Sequence, residues 1–175
     1  MTGDAAWYEA AFVVGVTNAL NTVADALGAL DGATALLEPV DDADPRDEVR
    51  ALFAEIRRFY AGAVPLPLRL AAHDPGYAGD LWAAVHRIFA DGTLSRRYKE
   101  ALAFAVSLTT RSRFGTAFHL GEMRRLGVGA RGVMEIVGVS QMFSSYTKIA
   151  DTLQLDPDMG GIAPADPTPA PGFAP

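Results

Sequence analysis

The sequence predicts an all-α protein, a bundle of helices without a sheet. Apolar residues recur at spacings of three and four along most of the chain, which is the period of a helix with one buried face. No segment shows the period-two alternation of a half-buried strand. Half of the 175 residues are hydrophobic and 21% are charged, so the chain has enough apolar surface for a core.

The first helix is predicted at residues 5–29, with glycines at positions 28 and 32 ending it. Its polar side chains share one stripe: Asn18, Asn21 and Asp25. An acidic linker that contains a proline follows at residues 38–44. Residues 1–44 therefore form an N-terminal unit, a helix and an acidic linker.

The second helix is predicted to begin at Asp44 and to run to about residue 61. Asp44 suits the N-cap and Pro45 suits the first helical position. The residues expected to face inward are Val49, Leu52, Phe53, Ile56 and either Phe59 or Tyr60. Two prolines make residues 62–67 a turn, and a short helix then leads to a second turn at residues 74–76.

Four more helices are predicted at residues 77–90, 95–110, 112–126 and 130–153. Ser95 can cap the second of them, whose interior at residues 101–108 is apolar on all sides. We therefore expect that helix to be the central, buried one. From residue 156 onward the chain is a proline- and glycine-rich tail that cannot fold alone.

Charge and cysteine content exclude several function classes. The formal net charge is −6, from 21 acidic and 15 basic residues, and the basic residues are scattered rather than clustered. This pattern argues against a nucleic-acid partner, because phosphate binding needs clustered Lys and Arg. The absence of cysteine excludes disulfides, thiol nucleophiles and metal–thiolate sites. Three histidines and dispersed carboxylates show no metal-ligand pattern, and we expect neither a metal nor a cofactor.

No segment is predicted to be a membrane span or an export signal. The most apolar early stretch, residues 5–30, contains Glu9 and other polar residues and has no basic residue ahead of it. We therefore expect a cytoplasmic protein without a membrane partner.

One constellation of side chains can carry chemistry. Ser112, Gly115 and His119 lie at i, i+3 and i+7, on one face of one predicted helix. Glu100 lies early in the preceding helix, and a short connection would pack the two helices antiparallel. A carboxylate and an imidazole that face one another can form a proton relay.

These residues carry a family resemblance. The segment Leu94-Ser-Arg-Arg-Tyr-Lys-Glu-Ala-Leu-Ala-Phe-Ala-Val-Ser, with His119 and the later Arg125-Leu-Gly-Val, resembles the alkylhydroperoxidase D-like and carboxymuconolactone decarboxylase superfamily. The resemblance covers about residues 48–155. It implies a helical bundle of the alkylhydroperoxidase D-like type, with that domain at residues 45–155. It also implies a homo-oligomer, often a trimer or hexamer, and residues 1–44 are expected to serve its interface.

The chain departs from the peroxidase branch at two positions. That branch has a Glu, a Cys twelve residues later, a second Cys three later and a His four later. These positions hold Glu100, Ser112, Gly115 and His119 here. Serine and glycine cannot form a thiolate or a mixed disulfide, so we expect no thiol peroxidase activity. The decarboxylase branch also lacks the cysteine pair and keeps a histidine at this point.

Each of these residues also has a structural interpretation. His119 can be a hydrogen-bonded core residue, and Glu100 can be a carboxylate that the helix dipole favours. Ser112 lies roughly 10 Å along the helix from His119, too far for a direct hydrogen bond. We therefore expect Ser112 to be a helix cap rather than a nucleophile.

Three functions remain open from the sequence. The first is small-molecule binding with acid–base chemistry at the Glu–His pair, in a pocket beside Gly115 that Trp82 or Phe104 could fill instead. The second is a decarboxylase- or lactone-type enzyme, whose small carboxylic acid would be held by Arg111 or Arg113. The third is a non-catalytic oligomeric module.

Overall fold

The structure, a computed structural model, describes residues 3–28 and 35–155. Within those ranges it consists of helices without strands, which confirms the all-α prediction. The helices are α1 (Gly3–Leu27), α2 (Asp47–Phe59), α3 (Leu66–Ala71), α4 (Pro75–Phe89), α5 (Arg96–Thr110), α6 (Arg113–Arg125) and α7 (Ala130–Leu153). The predicted stop at Gly32 and the tail from residue 156 lie outside the described residues.

Helix α5 lies at the centre of the bundle and packs against α1, α4, α6 and α7. Its N-cap is Ser95, whose hydroxyl accepts a hydrogen bond from the backbone N–H of Tyr98. It ends at Arg111, which adopts the left-handed conformation with φ 60° and so turns the chain sharply. Helix α6 then runs back antiparallel to α5, and the predicted boundaries of both helices are correct to within a residue or two.

The hydrophobic core lies between α1, α2, α3, α4 and α5. Val49, Phe53 and Ile56 form the buried face of α2, as their spacing predicts, and each is at most 1% exposed. Burying such a side chain contributes about 1.5–3 kcal/mol. Leu52 is half-buried beside them, and Tyr60 is buried just beyond the end of the helix.

The two Asp-Pro pairs exchange their predicted roles. Asp44 is not the N-cap of α2, because its carboxylate accepts from Arg46 N–H at 3.0 Å and pairs with the Arg46 guanidinium at 2.8 Å. The helix therefore begins two residues later than expected, with Arg46 at the cap position. By contrast Asp74, predicted to lie in a turn, is the N-cap of α4, and Pro75 is the first residue of that helix.

Helix α1 packs on the rest of the molecule and runs parallel to α5. Val13, Leu20 and Ala24 are buried, at most 3% exposed, so one face of α1 belongs to the bundle. On the opposite face large apolar side chains are exposed: Trp7, Tyr8, Phe12 and Val14. The service of residues 1–44 as a subunit interface stays a prediction, and this outer face is the part of the helix that could provide it.

By length and composition alone, α1 is a helix that could cross a membrane. One such helix is weak evidence for a membrane span. A helix that packs in a bundle passes the same test, and one face of α1 packs on the bundle and makes the polar contacts with α5 described below. The cytoplasmic location stays a prediction.

Candidate functional site

Glu100 and His119 face one another across the α5–α6 pair. The Nδ1 atom of His119 lies 2.8 Å from Oε2 of Glu100, and both side chains are buried, at 1% and 0% exposure. A carboxylate only accepts hydrogen bonds, so Nδ1 is the donor of this bond and Nε2 is the ring nitrogen that Glu100 leaves available. This arrangement fixes both the tautomer and the orientation of the imidazole.

The His119 ring is held between aromatic side chains. It stacks on Phe89 of α4, with ring centroids 5.8 Å apart, and Phe118 meets it edge-on at 5.2 Å. Its Nε2 atom is buried and has no hydrogen-bond partner within the described residues. A buried polar atom without a partner costs free energy, and such atoms are rare outside functional or hydrated sites.

Arg96 supplies the positive charge next to Glu100. Its Nε atom lies 3.6 Å from Oε1 of Glu100, and its terminal nitrogens donate to Glu122 Oε2 at 2.8 Å and to the Phe59 carbonyl at 2.9 Å. The guanidinium also covers the Phe59 ring, 3.7 Å from the centroid. Arg125 holds Glu122 from the other side at 2.9 Å. Two arginines and two glutamates thus balance in charge beside the imidazole.

Tyr60 lies next to this charge cluster. Burial and the Glu100 carboxylate raise the pKa of the Tyr60 phenol well above its ordinary value of 10.0. The group therefore stays a neutral phenol throughout the physiological range. Its ring packs edge-on against Phe118, with centroids 5.3 Å apart, and so closes the aromatic side of the site.

The expected space beside Gly115 is occupied. A Cβ atom at this position would overlap with Oδ1 of Asn21 and the hydroxyl of Ser107, and would lie 2.9 Å from Cγ of Asn21. Asn21 comes from α1 and donates through Nδ2 to the Ser107 hydroxyl at 3.1 Å. The residue that fills the space is therefore neither Trp82 nor Phe104, the two neighbours considered from the sequence.

Ser112 is a helix cap, as expected. Its hydroxyl accepts from the backbone N–H of Gly115 at 3.1 Å, and the residue is 1% exposed. The capping bond fixes the first turn of α6 and therefore the direction in which His119 projects.

The remaining candidates lie apart from the Glu100–His119 pair. Trp82 is buried against Phe59 and His86, with centroids 5.6 and 5.3 Å away. Arg111 and Arg113 are exposed at the start of α6. They line an open concavity of about 420 Å³ together with four other residues: Leu108, Ser112, Thr116 and Ala117.

The other two histidines lie at the surface, as expected. His73 is exposed and contacts the Glu38 carbonyl at 2.8 Å, and His86 is exposed on α4. Among the residues that the structure describes, no group of three metal-ligating side chains occurs.

The region from α4 to α7 is similar to known proteins. Residues 75–155, just under half of the chain, match the model of the carboxymuconolactone decarboxylase family. The crystal structure of the alkylhydroperoxidase AhpD core from Rhodospirillum rubrum superposes with a TM-score of 0.68. It covers 72% of this chain and 96% of that core, with 22% sequence identity. No curated protein sequence matches the chain at a significant level.

The matched region begins at α4 and contains both Glu100 and His119. Over this region the chain is similar to the carboxymuconolactone decarboxylase family, its fold is that of the alkylhydroperoxidase AhpD core, and its sequence contains no cysteine. Within this superfamily fold the Glu–His pair is present and hydrogen-bonded, whereas a serine cap and a glycine stand at the expected cysteine positions. Helix α1 lies outside the matched region and adds a further wall to the α5–α6 pair.

Sequence reasoning missed several polar residues around the site. The sequence analysis singled out neither Arg96 nor Glu122, although the spacing of Arg96 four residues before Glu100 on one helix was a usable signal. Glu9 and Asn21 pair with residues more than 80 positions away, and no local pattern reveals such contacts.

Proposed function

We propose that the protein binds a small molecule at the Glu100–His119 pair and exchanges a proton with it. The single observation that carries this proposal is the buried Nε2 of His119, which has no partner while Nδ1 is bound to Glu100. A neutral imidazole with its second nitrogen held by a carboxylate is a general base whose orientation is already fixed. The imidazolium formed by proton uptake would be stabilised by the carboxylate.

Arg96 supports this role through Glu100. A lone buried carboxylate would be costly, whereas the guanidinium at 3.6 Å keeps its charge compensated. Glu122 and the Phe59 carbonyl hold the guanidinium in place. Arg96 therefore provides a fixed counter-charge at Oε1 of Glu100, while Oε2 binds the imidazole. Nε2 of His119 is then the reactive end of the Glu100–His119 pair.

The ligand meets Nε2 rather than the position of Gly115. Asn21 and Ser107 already fill the space beside Gly115, so a bulky substrate does not fit there without displacing α1. We therefore favour a small substrate. Thiol peroxidase chemistry has no part in the proposal, because neither Ser112 nor Gly115 can supply a thiolate or a resolving thiol.

The test is a thermal-shift screen against small carboxylic acids, lactones and quinone-like compounds at fixed concentration. Wild type is compared with His119→Gln and with His73→Gln, a matched change at an exposed histidine. A ligand of this site raises the Tm of wild type and of His73→Gln but not that of His119→Gln, because binding to the folded state stabilises it by mass action. Compounds that qualify go on to a turnover assay with Glu100→Gln as the inactive variant.

A negative result has a definite meaning. If no compound discriminates between wild type and His119→Gln, the pair is a structural hydrogen bond in the core. The filled space beside Gly115 would then belong to a non-catalytic module.

A second candidate is action on a small carboxylic acid or lactone, as in the decarboxylase branch. The observation that favours it is the open concavity of about 420 Å³ at the start of α6, where Arg111 and Arg113 lie together. A carboxylate could bind these guanidinium groups. Replacement of either arginine by methionine should then weaken the binding of carboxylic acids and leave the binding of uncharged lactones unaffected.

We also propose that the protein is a homo-oligomer that associates through α7. No described residue of α7 is buried. Its exposed apolar side chains follow the alternating three-and-four spacing of a helix–helix seam: Val139, Met142, Tyr146, Ile149 and Leu153. A seam of this length exposed to water is unfavourable in a monomer, and the same surface on a second copy would cover it.

A further inference from the structure

Among the buried polar atoms without hydrogen-bond partners on the described helices α1, α5 and α6, four belong to residues that are themselves almost fully buried. They are Oγ1 of Thr17, Oδ1 of Asn21, Oε1 of Glu100 and Nε2 of His119. Each of these residues is at most 2% exposed. Native proteins leave few buried polar atoms unpaired, so a group of them marks a place where something else supplies the hydrogen bonds.

The contacts between α1 and α5 show where Thr17 lies. Glu9 accepts from the backbone N–H groups of Thr93 and Leu94, and Asn21 donates to Ser107. These partners are 84, 85 and 86 positions apart in the sequence, so the two helices run parallel in one register. That register places Thr17 at the level of Ala103.

Ala103 lies between the two landmarks of the site. Glu100, three residues before it, contacts His119 on α6, and Ser107, four residues after it, lies beside Gly115. The hydroxyl of Thr17 therefore comes from α1 at a level between the imidazole and the filled space.

Thr17 also differs from other helical threonines of this chain. Thr22 on the same helix donates to the Asn18 carbonyl at 2.9 Å, and Thr116 on α6 donates to the Ser112 carbonyl at 2.7 Å. This bond to the preceding turn is the usual way in which a helical threonine satisfies its hydroxyl. Thr17 is fully buried and makes no such bond.

We propose that Thr17 is a positioning residue of the Glu100–His119 site, where its hydroxyl orients a hydroxyl-bearing guest at Nε2 of His119. The inference rests on the proposed function and extends it to a helix outside the family match. In the protein without substrate the guest is a water molecule. Its O–H donates to Nε2, its oxygen accepts from Thr17, and Asn21 Oδ1 is an acceptor for its second proton.

The same arrangement favours the proton transfer itself. The O–H bond of the guest breaks, an N–H bond forms at Nε2, and the imidazolium is paired with the Glu100 carboxylate. The guest oxygen becomes an anion that keeps the hydrogen bond from Thr17, and such a bond strengthens as charge develops. Substrates with an acidic hydroxyl or enol are therefore the class that fits this site.

The test measures the ¹⁵N chemical shift of His119 Nε2 and the Tm in the unliganded full chain. The variants are Thr17→Val, which removes only the hydroxyl, Thr17→Ser, which keeps it, and Thr22→Val as the exposed control. His73→Gln and His86→Gln assign the imidazole signals. We expect Thr17→Val to move the Nε2 signal downfield, towards that of a nitrogen without a hydrogen bond, and to lower the Tm. Thr17→Ser and Thr22→Val should keep the wild-type signal.

An unchanged Nε2 signal in Thr17→Val overturns the inference, and a raised Tm in that variant would show that the hydroxyl is simply unpaired. If Thr17→Val does not fold, Thr17→Ala and Thr17→Ser make the same comparison, since both lack the methyl group and only one keeps the hydroxyl. Ligand stabilisation that requires His119 and is identical in Thr17→Val would remove Thr17 from the site and leave the proposed function intact.

Discussion

Asn21 on α1 takes the space that a side chain at position 115 on α6 would need. The two residues are 94 positions apart, yet the carboxamide of Asn21 lies directly against the Cα of Gly115, with the Ser107 hydroxyl beside it. The glycine is required here by close approach of another helix and not by backbone conformation. The absence of a side chain at position 115 is therefore what allows α1 to pack this closely against α6.

We predict that Gly115→Ala destabilises the protein by about 1–3 kcal/mol, because the added methyl group overpacks a filled site. Urea denaturation measures the effect. Gly121→Ala, on the same helix with open space around it, is the control and should be neutral or stabilising by up to about 1 kcal/mol. Asn21→Ala should reduce the cost of Gly115→Ala, and strictly additive effects in the double variant would contradict the packing argument.

We predict that the protein loses stability in acid partly because the Glu9 carboxylate becomes protonated. Hydrogen bonds from the Leu94 backbone, Lys99 and the Thr93 backbone lower the pKa of the Glu9 carboxyl from 4.5 to about 2. A carboxyl whose pKa is lower in the folded state stabilises the protein above its unfolded value of 4.5, and this contribution is lost as the pH falls towards 2. Glu9→Gln should therefore flatten the decline of the unfolding free energy over this range.

Asp44→Asn is the matched control for Glu9. The Arg46 guanidinium and backbone lower the pKa of the Asp44 carboxyl to about 2 as well, so it titrates over the same range. Of these two carboxylates, Glu9 is the one that joins α1 to the start of α5. Hydrogen exchange of α1 amides should therefore accelerate in Glu9→Gln and not in Asp44→Asn; equal acceleration in both would refute the assignment.

Replacement of Arg96 by methionine should cost about 3–5 kcal/mol, because Glu100 and Glu122 would lose their shared cation in a buried site. Chemical denaturation of Arg96→Met is compared with that of Arg97→Met, an exposed neighbour on the same turn. Similar stabilities for the two variants would mean that water reaches the glutamates and replaces the guanidinium.

The proposed association through α7 predicts that Ile149→Glu lowers the molecular mass measured by light scattering to that of the monomer. The introduced carboxylate would have to be buried in the middle of the seam. Ser144→Glu adds the same charge on the opposite side of α7 and should leave the mass unchanged. A monomeric wild type, or equal dissociation in both variants, would contradict the seam.

Local signals predicted the helices well and the long-range contacts poorly. The period of the apolar residues and the cap at Ser95 located α5 almost to the residue. The Asp-Pro pairs show the limit of such signals, since both can start a helix. At Asp44 the guanidinium of Arg46 competes for the carboxylate, whereas Asp74 caps α4 through the Tyr77 N–H.

The site shows the same division. Helical spacing and one antiparallel connection were sufficient to bring Glu100 to His119. The contents of the space beside Gly115 were not predictable, because Asn21 reaches it from a helix whose position depends on tertiary packing alone. The role of Arg111 and Arg113 in holding a substrate carboxylate stays a prediction, whereas Arg96, the cation next to Glu100 and one turn earlier on the same helix, was not singled out from the sequence.

The parallel pairing of α1 with α5 also has a consequence during synthesis. The backbone groups that bind Glu9 are made 84 and 85 residues after it, so α1 leaves the ribosome long before its partner helix exists. Helices α3 and α4 emerge earlier and can cover part of its apolar face, but the part that packs on α5 and α6 stays uncovered until they emerge, because contacts so distant in the chain close late in folding. The nascent chain is therefore most exposed to aggregation and to chaperones in the interval between the synthesis of α1 and that of α5 and α6. Docking of α1 onto these helices is the step that completes the site.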